Sequence, residues 1–162
     1  MKQLLNGMLC LAIGLASTTT VLSQDKKTEI KELIDARSYV FKAQTMLPMG
    51  GRTRQLTSDY DVKVAKDSII SYLPYFGRAY TAPLDPSQGG IQFKSKDFEY
   101  TISNKRKGGW DIVIKPKDAG DVRQMSLMIS EDGYGSLQVL SNNRQAIIFN
   151  GYVKAREQRK GG

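Results

Sequence analysis

The sequence predicts a mainly β protein: a single-domain antiparallel β-meander closing into a small barrel or a two-sheet sandwich, with one short N-terminal α-helix behind a signal peptide. Three observations carry this. Apolar residues recur at helical spacing over residues 28–37. From Ser38 onward the period is two. Turn chemistry then interrupts the alternation at short intervals to the end of the chain.

The leader comes first. Met1 and Lys2 precede the apolar run Met8-Leu9-Cys10-Leu11-Ala12-Ile13-Gly14-Leu15-Ala16 and the polar stretch Ser17-Thr18-Thr19-Thr20, the pattern of a secretory signal peptide. Val21 and Ser23 fit a cleavage site that leaves Gln24 as the mature N-terminus. The run is shorter than the ~20 apolar residues that cross a bilayer, so no transmembrane segment is expected in the mature chain. Cys10 lies inside the run rather than behind small residues at its end, which does not support a lipoprotein site. The expected organisation is a signal peptide over residues 1–23 and one β-rich domain over 24–162. Within it a helix covers 28–37, strands cover 38–153, and a basic tail covers 154–162. The expected location is the periplasm or the cell surface.

Composition removes several chemistries. The chain has no histidine and one cysteine, which the leader takes with it. A mature domain without thiol or imidazole lacks the usual parts of cysteine and serine–histidine hydrolases, zinc hydrolases and disulfide oxidoreductases. No metal and no cofactor are expected. With 24 basic and 16 acidic residues the formal net charge is +8, and loss of Lys2 lowers it by one. A basic exported protein is drawn to anionic surfaces. The cations are nevertheless spread out, dense only at Lys105-Arg106-Lys107 and in the tail, and solubility alone accounts for such a spread. No recognition helix or RNA-binding signature is present, so no nucleic-acid partner is expected.

The helix places Ile30, Leu33, Ile34 and Arg37 on one face, with Glu29 and Glu32 early, where the macrodipole favours acids. In the first strand Tyr39, Phe41, Ala43, Thr45 and Leu47 share a face, opposite Lys42 and Gln44, and Pro48-Met49-Gly50-Gly51 ends it. Tyr60–Val64 and Ser68–Tyr72 flank Ala65-Lys66-Asp67 as a hairpin requires. Ile91-Gln92-Phe93 and Phe98–Ile102 follow, then Lys107-Gly108-Gly109 and Trp110–Ile114. Met125, Leu127 and Ile129 alternate up to Glu131-Asp132-Gly133, Leu137 and Val139 come next, and Asn142-Asn143 precedes a last strand over 145–149.

Ser71-Tyr72-Leu73-Pro74-Tyr75-Phe76-Gly77-Arg78-Ala79-Tyr80 concentrates four of the chain's aromatics around a proline and a glycine. Tyr72, Tyr75, Phe76 and Tyr80 either fold back as the plug of a small core or stand out as a platform for a ligand. Arg78 serves a ring or an acid equally well. Arg144, in Ser141-Asn142-Asn143-Arg144-Gln145, is a candidate for bidentate binding of a carboxylate or phosphate, although Asn-Asn also marks a turn. Tyr72, Tyr75, Phe76, Arg78, Tyr80 and Arg144 are therefore the candidate binding residues. The near pairs of acids are Asp59 with Asp61, Asp97 with Glu99, Asp118 with Asp121 and Glu131 with Asp132. They are the conventional acid–base groups left, but solvated strand edges and turns carry acids anyway.

Ser71 to Tyr80, the turn Pro48-Met49-Gly50-Gly51-Arg52, Gly89-Gly90-Ile91-Gln92-Phe93, Gly109-Trp110 and the ending Ser141 to Gly151 resemble the exported bacterial family catalogued as domain of unknown function 4251. The resemblance covers essentially the whole mature chain and implies neither an activity nor any catalytic or binding position. The expected function is a noncatalytic binding or interaction module, not an enzyme. Its ligand is apolar, amphiphilic or a glycan, or its partner is an envelope lipid, glycan or protein. The alternatives are a carboxylate-dependent hydrolase of envelope glycans and a purely structural envelope protein. A hollow, clefted or filled interior separates the three.

Overall fold

The computed structural model describes residues 19–78 and 89–157. The proposed signal peptide falls largely outside the described residues, as do Tyr80 and the end of the basic tail. Helix α1 (Thr19–Asp35) is followed by nine strands: β1 (Tyr39–Pro48), β2 (Arg54–Val64), β3 (Ile69–Leu73), β4 (Ile91–Ser95), β5 (Phe98–Asn104), β6 (Trp110–Pro116), β7 (Val122–Ile129), β8 (Tyr134–Ser141) and β9 (Ile147–Ala155). Among the described residues no helix is long and apolar enough to cross a membrane.

All nine strands belong to one antiparallel sheet in the order β4-β3-β2-β1-β9-β8-β7-β6-β5. The chain meanders outward through β1 to β4, starts again at β5 on the opposite edge, and meanders back until β9 pairs with β1. Only Lys96 and Asp97 separate β4 from β5, so the sheet must curl until its two edges meet at that corner. This topology gives a nearly closed barrel rather than a sandwich. Asp118, between β6 and β7, holds the corner: its carboxylate accepts from Ser95 Oγ and, at 3.0 Å, from the Lys96 amide. Those bonds favour the charged form and lower its pKa.

The interior is filled. Tyr39, Phe41, Met46, Ile69, Leu73, Met125 and Phe149 have no exposed surface, and with Ile112, Ile114, Leu127, Leu137 and Ile147 they form one apolar cluster. The Tyr39 hydroxyl meets that of Tyr100 at 3.1 Å. Buried Ser71 donates to the Ile91 carbonyl at 2.8 Å. The polar groups that enter the barrel thus bring their own partners, as burial demands. Helix α1 lays Ile30 and Ile34 over one end. Gly133, in the β7–β8 turn, admits it: a Cβ there would lie 2.8 Å from Ile30 Cδ1.

Three expectations need correction. The helix already includes Thr19, ahead of the expected residue 28, and stops at Asp35 rather than 37. Arg37 instead adopts φ 48°, and amide bonds from Arg37 to Ile34 O and from Ser38 to Leu33 O close the helix in a Schellman motif. Its guanidinium, 4.5 Å from the Tyr100 ring centre, covers that ring. The last strand starts at Ile147 and runs to Ala155, past the predicted strand limit at 153, and Lys154 belongs to the sheet rather than the tail.

The third correction concerns β1. Tyr39, Phe41 and Ala43 point inward as expected, but Met46 and Pro48 are buried in place of Thr45 and Leu47. The register shifts between Ala43 and Thr45 against both β2 and β9. Against β9 the extra residue is Gln44, a β-bulge that reverses every later side chain of β1, whereas against β2 the excess lies in β2, at residues 56–59. The backbones can close up at that point because Gly151 stands opposite Ala43.

Candidate functional site

The predicted aromatic stretch divides between packing and surface. Tyr75 lies partly buried against the core, its hydroxyl shared between the Arg78 carbonyl at 2.8 Å and the Gln145 carbonyl at 3.1 Å. The Arg144 guanidinium stands 5.2 Å from its ring centre, 3.1 Å from an Asp121 oxygen through Nε, and donates to Gly90 O at 2.9 Å. Arg144 therefore ties the chain leaving β3, the start of β4 and the β6–β7 connection together. The main-chain oxygen of Arg78 takes part in the same lock. Phe76 is 54% exposed, with the Arg54 guanidinium 5.3 Å from its ring centre. Arg144→Ala is expected to cost about 2 kcal/mol, the sum of a charge-assisted bond and a partly buried ion pair. Urea unfolding measures the loss, and hydrogen exchange should quicken first at 75–78.

Tyr72 belongs elsewhere. Strand alternation that sends Ile69, Ser71 and Leu73 inward sends Tyr72 outward, where it is 48% exposed and stacks on Tyr60 with centroids 5.7 Å apart. Pairing register then extends a row from it across the outer face. Tyr72 faces Asp61, Asp61 faces Lys42, Lys42 faces Tyr152, and Tyr152 faces Tyr134. At roughly 4.8 Å per strand the row runs about 19 Å. Tyr134 is 63% exposed and Tyr152 36%.

The middle of the row is an ion pair. Lys42 Nζ lies 2.9 Å from Asp61 Oδ2 and 3.6 Å from Asp59 Oδ1, with side-chain exposures of 19% for Lys42 and 9% for Asp61. Burial acts against charge on Lys42, but the hydrogen bond and charge of Asp61, joined by Asp59, outweigh it and raise the pKa. Beside the tyrosines runs a second row, Lys94, Ile70, Lys63, the buried Val40 and Lys154, in register across β4, β3, β2, β1 and β9. Two depressions flank the aromatic row. One, of about 450 Å³, is lined by Lys42, Ser58, Asp59, Tyr60 and Tyr152. The other, of about 530 Å³, is lined by Lys105, Met128, Tyr134, Ser136 and Asn150. Gln44, set out by the bulge, borders both.

In each carboxylate pair at least one acid is tied to a cation. Asp59 and Asp61 share Lys42. Asp97 and Glu99 face Lys117 at 3.8 and 3.6 Å. Asp121 holds Arg144, and Glu131 meets Lys27 at 2.6 Å. What these acids do in the structure is neutralise neighbours and fix turns.

Of the predicted residues, the structure brings Tyr75, Arg78 and Arg144 together as a lock, leaves Phe76 on the surface nearby, and sets Tyr72 in the outer row. The sequence names Asp61 only as an acid paired with Asp59 and Lys42 only as an outward residue of the first strand, and it marks neither Tyr134 nor Tyr152. Period two already puts Lys42 on a polar face, but the register that aligns it with Tyr72 is not a local property.

The family described as domain of unknown function DUF4251 matches residues 22–153. The chain belongs to the DUF4251 family. A crystal structure of a DUF4251 family protein from Bacteroides eggerthii superposes with a TM-score of 0.62 at 14% identity, covering 85% of this chain and 92% of that one. At that identity the two DUF4251 chains share a fold and nothing finer. No curated protein matches the sequence.

Proposed function

We propose that this DUF4251 protein is a noncatalytic binding module that holds an extended acidic glycan along the tyrosine row on the outside of the barrel. The single observation that carries the reading is the register: Tyr72, Tyr152 and Tyr134 lie on one line across the sheet, with lysines in the neighbouring line. A tyrosine offers an apolar face to the C–H side of a sugar ring and a hydroxyl to its edge. Lys63, Lys94 and Lys154 supply attraction for carboxylate or sulfate groups. The filled interior is what the purely structural alternative expects, so the binding reading rests on this outer face alone. A signal peptide that exports the chain would bring it to such polymers at the envelope.

Calorimetric titration with polygalacturonate, against uncharged dextran as control, tests the reading. Binding to the acidic polymer is expected, weakening as salt rises. The double variant Tyr72→Ala/Tyr134→Ala should weaken it at least about tenfold without lowering the melting temperature, since both side chains stand on the surface. Binding indifferent to the tyrosines but sensitive to salt would return the protein to a structural role resting on charge alone. Release of new reducing ends would return it to a carboxylate-dependent hydrolase.

A further inference from the structure

Strand β5 ends the sheet, and among the described residues its second edge carries no strand. Such an edge is a template for pairing, normally blunted by proline, lysine or an inward charge. Tyr100-Thr101-Ile102-Ser103-Asn104 has none of these. Ile102 pairs with Ile112 and faces the same side of the sheet, yet Ile112 is 1% exposed and Ile102 38%. A neighbour is missing on the open side.

The strand is also polarised in charge. Asp97 and Glu99 stand at its start, and Lys105, Arg106 and Lys107 follow its end. An antiparallel copy of the same strand, centred on Ile102, sets Ile102 against itself and Thr101 against Ser103. It sets Glu99 against Lys105, at the end where the partner's β5–β6 turn carries Arg106 and Lys107, and the two-fold axis makes this occur twice. A parallel copy would set like charge on like. We propose that two copies of this chain associate through their β5 edges in this antiparallel register.

The present partners of these charges do not compete strongly. Asp97 and Glu99 share the exposed Lys117, and Lys105 lies 3.0 Å from Asp111. Such pairs contribute little. Strand β4, the other edge, is shorter and carries Lys94 within it.

Sedimentation velocity on the full chain purified from its own host is expected to show a dimer that dissociates on dilution. Ile102→Lys and Glu99→Lys should each raise the dissociation constant at least about tenfold, with circular dichroism unchanged. In a Cys10→Ser background, Ile102→Cys should form a covalent dimer through position 102 under mild oxidation, while Ser136→Cys on the outer face should not. The cross-link reads the register even if a lysine variant unfolds. A monomer at every concentration overturns the proposal, and so does a dimer that tolerates Ile102→Lys and fails to cross-link at 102.

Discussion

A single methyl group on Gly151 is expected to destabilise the protein by at least about 3 kcal/mol. The Cβ of Gly151→Ala would lie 1.8 Å from the Lys42 carbonyl oxygen, 2.9 Å from its carbon and 3.1 Å from Ala43 Cα. All three are backbone atoms, so no rotamer change clears the way. Strand β1 cannot retreat either, because β2 is paired along its other side. The urea midpoint should fall with the slope unchanged, which is the signature of lost stability rather than a changed denatured state. Gly120→Ala is the control. There a Cβ meets nothing within 4 Å, and the cost is the left-handed backbone alone, about 1 kcal/mol. If Gly151→Ala is no worse than Gly120→Ala, the bulge at Gln44 is not pinned by close backbone approach.

The same contact explains where the sequence was legible and where it was not. Features written within a few residues were readable: the turn at Lys66-Asp67, the basic hairpin at Lys105 to Gly109, the turn at Glu131 to Gly133, and the alternation of Met125, Leu127 and Ile129 in β7. Each depends on side-chain period or turn chemistry, which are local. The alternation of β1 failed at Gln44 because its bulge is set by a glycine more than a hundred residues away. The outer row failed to emerge for the same reason. Lys42 is legible as outward-facing, but its alignment with Tyr72, Tyr152 and Tyr134 depends on β1 pairing with β9, the closure between the ends of the meander. The dense aromatic stretch drew attention to Tyr75 and Arg144, whose partners Asp121 and Gln145 came from across the barrel and gave them a structural task. Density along the chain located part of the lock, whereas alignment across it located the candidate surface.

Lys42→Met is expected to cost about 3 kcal/mol at neutral pH, because it leaves the nearly enclosed Asp61 carboxylate with only Lys63, 4.0 Å away. An exposed pair would cost far less, and the 19% and 9% side-chain exposures place this one among buried pairs. Adding Asp61→Leu should recover stability to within about 1 kcal/mol of the wild type, since an apolar pair of similar size replaces two charges that were costly to desolvate. The pH dependence has a definite sign. The folded-state pKa of Lys42 is raised above its ordinary 10.5, so the pair's contribution is whole below that value and is lost as pH rises through the folded one. Tyr39 and Tyr100, both raised chiefly by burial, lose stability in the same alkaline window. The comparison of wild type with the double variant isolates the pair, and the wild type should lose stability relative to the double variant above pH 10.5. Because the pair lies between Tyr72 and Tyr152, the double variant also separates two roles. Polygalacturonate binding that survives the exchange makes Lys42 and Asp61 a strut holding the tyrosines in line; binding lost from a protein that is still folded makes Lys42 part of the surface that meets the polymer.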